Sequence, residues 1–205
     1  MSSELSSDWQ EQAAKYKEQG KYAEVAQLYE QAIEQQPEVV SYYWHLGLLL
    51  LLEGKEEDAQ LTWLSAMVND DPESQDLASK ELFTILTNEA QRQQDSENLK
   101  LAWVIRHHAR EVEATDLDNL LALIALSLEL ETFQGEELQE LGVLKLLQNE
   151  KVAVKPELLL SVLEKLLNTA PLEPYVLDFV EVCAAHAQPP ERFIDIVLVA
   201  AERKI

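Results

Sequence analysis

Apolar positions recur every three to four residues along most of the chain, in runs long enough for helices and separated by short breaks. Near the C-terminus, Phe193, Ile194, Val197, Leu198 and Ala201 fall on one side of a helix, a 3.6-residue period rather than the alternation of a strand. The breaks have a physical basis. At Gly20-Lys21 and Gly54-Lys55 a glycine accepts the left-handed conformation that ends a helix, and Pro37 and Pro72 cannot continue one. The same reading predicts a long hairpin over 73–93 and 96–114, then helices near 117–132, 135–149, 156–169, 173–187 and 190–203. An irregular connector is expected at 149–155. The expected total is about eleven helices, or about five hairpins with the final helix left unpaired.

The pattern also repeats. Trp9, Ala13, Tyr16, Gly20, Tyr29 and Ala32 are matched 34 residues later by Tyr43, Gly47, Leu50, Gly54, Trp63 and Ala66, and Pro37 is matched one residue late by Pro72. Small residues at 13 or 47 and at 32 or 66 let two antiparallel helices approach, while aromatics fill the space between them. Residues 6–72 therefore resemble two tetratricopeptide repeats, departing from that family's pattern at Gln12 and Val25, where Leu and Ala are usual. The resemblance implies an all-α, right-handed superhelical array of antiparallel helix hairpins. Pro156-Glu157 and Pro190-Glu191, again 34 residues apart, each open an apolar helix, so the period returns. The expected organisation is one continuous solenoid. Residues 1–72 form two recognisable repeats with an N-terminal lead, 73–155 form longer degenerate pairs, and 156–205 form a further hairpin plus the final helix.

Composition agrees with helices: Leu, Ala, Glu and Gln abound, with only 5 glycines and 7 prolines in 205 residues. The formal charge of −22 is spread along the chain rather than gathered in a tail. An acidic body repels phosphate backbones and anionic lipid, so neither nucleic acid nor a membrane surface is an expected partner. Apolar runs such as 46–52 and 120–128 are far shorter than the roughly 20 residues that cross a bilayer. The N-terminus lacks a basic start and an apolar core region, and Cys183 has no second cysteine to pair with. A cytoplasmic protein is expected.

Candidate chemistry is sparse. No Gly-rich phosphate loop, paired Cys-x-x-Cys, His-Glu-x-x-His or nucleophile elbow occurs, so no catalytic residue, cofactor or metal site is expected. In tetratricopeptide proteins the inner groove is lined by first helices. Here that strip reads Ser7, Gln10, Ala14 and Lys17, then Ser41, Trp44, His45 and Leu48. The Lys and Asn clamp by which some family members hold carboxylates is missing. Gln10, Lys17, Trp44, His45, Leu48 and Leu51 are the candidate partner contacts, suited to an apolar or amphipathic peptide. Arg106 and Arg110, one turn apart in Arg106-His107-His108-Ala109-Arg110, are candidates to receive a partner's carboxylate. Cys183 and His186 are read as core packing.

These features point to a non-catalytic scaffold binding a protein or peptide through its concave face. Two repeats followed by degenerate helical pairs also resemble N-terminal regions of bacterial proteins related to O-linked N-acetylglucosamine transferases of the SPINDLY type, and regions that precede methyltransferase domains. That resemblance implies the alternative of a repeat region within a larger enzyme, positioning substrate or a catalytic domain. A second alternative is self-association as a homodimer through the apolar helix Pro190–Arg203, since a terminal repeat should be polar on its outer face.

Overall fold

The computed structural model describes residues 8–67, 72–149, 152, 154–186 and 190–203, and the regular secondary structure among them is helical. The lead before Asp8, with Ser7, and part of the 149–155 connector lie outside the described residues. Among the described residues twelve helices run in the order α1 Trp9–Glu18, α2 Tyr22–Gln35, α3 Val40–Leu52, α4 Glu56–Ala66, α5 Pro72–Asp95, α6 Leu99–Val112, α7 Leu117–Glu129, α8 Glu137–Glu140, α9 Val143–Leu147, α10 Pro156–Thr169, α11 Pro174–His186 and α12 Pro190–Arg203. None among the described residues is long and apolar enough to cross a membrane. The chain divides into two compact units, Met1–Glu89 and Ala90–Ile205, at a boundary inside α5.

In the first unit α1 packs on α2, α2 on α3, and α3 on α4. The two hairpin turns close in the same way. Gly20 and Gly54 have φ of +71° and +77°. The following amides donate back across the turn, Lys21 N to the Tyr16 carbonyl at 3.0 Å and Lys55 N to the Leu50 carbonyl at 2.9 Å. Each bond satisfies a carbonyl the helix end would leave bare. Gly47 is required by contact rather than by φ: a Cβ there would stand 2.2 Å from Nε1 of Trp63, which donates to the Trp44 carbonyl at 3.2 Å. Ala13, Val25, Ala26, Leu46 and Leu49 form a core with Trp9, Tyr16 and Tyr29 packed against it.

The second unit is organised around α7 and α10, which pack on each other, with α6 on α7 and both α11 and α12 on α10. Its core joins Leu120, Leu121 and Ile124 to Leu159, Leu163 and Leu166, and reaches Phe179 and Cys183 on α11. The Asp116 carboxylate caps α7 by accepting from the Asn119 amide at 2.8 Å.

Three expectations change. The single helix expected over 135–149 is two short ones, α8 and α9, because Gly142 takes φ +75° between them. The second helix of the long hairpin starts at Leu99 rather than 96, since Glu97 itself turns the chain at φ +62°. The final helix has a neighbour after all. Ile196 and Ala200 bury against the second core, whereas Ile194 and Leu198 from the expected stripe stay 52% and 56% exposed.

Candidate functional site

Helix periodicity places Gln10, Ala14 and Lys17 on one face of α1, at i, i+4 and i+7. They border a shallow recess of about 180 Å³ in the first unit, with Tyr29 of α2 and His45 of α3 completing the rim. Ala13, Val25, Leu48 and Leu49 form its apolar floor. An aromatic cluster backs this rim. The Tyr29 ring lies 5.2 Å from Trp9 in an edge-on arrangement and 5.3 Å from the His45 imidazole, and Trp9 meets Tyr42 at 5.5 Å. Such edge contacts fix ring positions beyond what burial alone does.

Charge at the recess centres on Lys17. Lys17 Nζ sits 3.1 Å from the Glu89 carboxylate, which is almost wholly buried while the lysine stays partly open to solvent. A buried carboxylate needs such a counter-charge, so Lys17 is anchored rather than free to swing. Burial lowers the His45 pKa, and the Lys17 charge lowers it further. His45 therefore presents a neutral imidazole at neutral pH, one nitrogen donating and the other accepting. Burial, with a contribution from Tyr42, raises the pKa of the Tyr29 hydroxyl. The arrangement can seat one apolar side chain on the floor while the Gln10 amide and His45 imidazole hydrogen-bond a passing backbone.

The other sequence candidates fare differently. Trp44 is 0% exposed and belongs to the core, as do Leu51 and, except where it floors the recess, Leu48. The neighbouring His45 is the polar side chain of α3 that reaches the recess, half-buried at its rim. Arg106 is a correction as well: at 6% exposure its guanidinium is enclosed by protein amides. Its Nε and Nη2 donate to the Gln94 Oε1 at 3.1 and 2.9 Å, Nη2 also to the Gln91 Oε1 at 3.3 Å, and Nη1 to the Asn119 Oδ1 at 3.3 Å. It is not presented to a partner's carboxylate. Arg110, half-buried, donates from Nη2 to the Glu140 carbonyl at 3.2 Å, so the two arginines serve different neighbours. Cys183 is buried, and His186 donates from Nε2 to the Leu147 carbonyl at 2.6 Å. Among the described residues no group of three or more His, Cys, Asp or Glu side chains is placed to share a metal ion.

The sequence reading had no means of finding two participants. Tyr29 comes from α2, where its spacing marks only a repeat position. Glu89 lies far along the chain on α5, and no local spacing connects it to Lys17. No protein-family model matches this chain, and comparison with curated proteins finds no match.

Proposed function

We propose that this chain is a tetratricopeptide-like scaffold, a right-handed array of helix hairpins without catalysis of its own, and that the α1–α3 recess takes an extended segment of a protein partner. The carrying observation is the recess itself: an apolar floor bordered by Gln10, Lys17, Tyr29 and His45, on the face where the hairpin pattern puts partner contacts. The matched turns at Gly20 and Gly54 support the repeat reading, since the same hydrogen bonds close both hairpins. The recess is sized for about one side chain, so the partner segment supplies a single Leu, Ile or Met there, and affinity is built from further contacts along the strip. The acidic surface favours protein partners over nucleic acid.

Ala14 is exposed on the rim, and Ala14→Arg fills the recess without altering the core. Peptides selected from a displayed random library on the native chain should lose at least about tenfold in affinity for this variant, measured by fluorescence anisotropy. Selected peptides that bind the variant equally well would place the contact surface elsewhere.

A further inference from the structure

We propose that the groove between α11 and α12 docks a cationic amphipathic helix of another protein. It lies in the second unit and is independent of the recess on α1 and α3. Both helices pack on α10, and between them opens a space of about 330 Å³ walled by Leu172, Leu177, Val180, Val197, Ala200 and Ala201, over Leu167 of α10. The apolar surface does not stop at the groove. Leu172 and Leu177 are about half exposed on one wall, and Ile194 and Leu198 continue it on the other. Apolar side chains gathered this way, rather than scattered singly, mark an interaction surface. Both walls belong to helices of 13 and 14 residues that pack on the same helix, a length that can hold a helix of a partner laid between them.

Charge decides which helix. Glu181 stands one turn beyond Leu177, Glu202 one turn beyond Leu198 and Glu191 one turn before Ile194, and all three are exposed. These carboxylates border the apolar strip on both walls. Arg192, six residues from Leu198, projects about 120° away around α12. A second copy of this chain, with a net charge of −22, would bring more carboxylates to the border, whereas a helix with lysines flanking its apolar face would neutralise them. An occupant with Leu or Ile at i, i+3, i+4 and i+7 and Lys at the flanking positions matches both features.

The probe is a fluorescently labelled synthetic helix of about four turns, the length of α12, carrying that leucine pattern with lysines on the remaining positions. Anisotropy at physiological salt should show saturable binding to the full chain. The exposed pair Leu177→Gln and Leu198→Gln together should weaken it by about tenfold or more. Because both leucines are exposed, the double variant should keep the native melting curve by circular dichroism. Equal binding of a scrambled peptide of the same composition would overturn the proposal by reducing it to bulk charge attraction. So would equal binding of a glutamate-flanked version, or an unchanged affinity in the double variant. A doubling of mass in sedimentation that the double variant abolishes would overturn it too, in favour of a second copy.

Discussion

Arg106 holds its charge among the amide oxygens of Gln91, Gln94 and Asn119, and Asn119 returns a hydrogen bond from Nδ2 to the Arg106 carbonyl at 3.0 Å. Burial lowers its pKa, with Asp116 opposing. Truncation would leave three acceptors facing an empty space, so Arg106→Ala should cost about 2–4 kcal/mol in urea unfolding, with little effect on partner capture. Trp44→Ala belongs to the same class. Removing a fully buried indole should cost about 3–5 kcal/mol, and any loss of capture should track unfolding. The neighbours Trp44 and His45 show what one sequence can and cannot separate. They point about 100° apart on α3, so Trp44 is enclosed in the core while His45 is only half-buried. Yet Val40–Leu52 is apolar almost all round, and without a polar face nothing local says which side is inside. On α1 the inner side is plainer, because the helix is strongly polar and Ala13 is its buried residue.

Among elements, legibility followed punctuation. Gly20, Gly54 and the prolines opening α5, α10 and α12 stop or start helices through their own backbone restrictions, and those boundaries emerge close to expectation. The split between α8 and α9 did not, because a glycine within a helical pattern is tolerated as often as it breaks one. Its φ of +75° now makes a specific expectation: Gly142→Ala should destabilise the second unit by about 1 kcal/mol in chemical denaturation. Gly54→Ala, at φ +77°, should cost a similar amount in the first unit. Gly47→Ala should cost more than either, since the added methyl meets the Trp63 ring face-on rather than open space.

At the scale of the whole molecule the net charge of −22 works against compactness through self-repulsion. Raising salt from about 0.01 to about 0.15 M shortens the screening length from about 30 to about 8 Å, and should raise the melting temperature by on the order of 2–5 °C. Acid has a second effect. Burial lowers the folded-state pKa of both His45 and His107, the latter in tilted contact with Trp103 at 4.0 Å. Their contribution is present above the unfolded value near 6.5 and is lost as pH falls below it, because the unfolded chain then binds more protons. Stability at fixed ionic strength should therefore decline from about pH 7 to about pH 5, and the His45→Gln, His107→Gln double variant should flatten that slope.

Cys183 lies in the second core, where burial pushes its thiol pKa well up. Thiolate is the reactive form, so a maleimide reaches this sulfur only when the surrounding helices part. The protein thus carries its own stopwatch for one half of the chain: labelling rates time the breathing of Ala90–Ile205 alone. Trp9, Trp44 and Trp63 lie within Met1–Glu89 and Trp103 within Ala90–Ile205, so in a Trp103→Phe variant indole fluorescence would report the first unit while labelling reports the second.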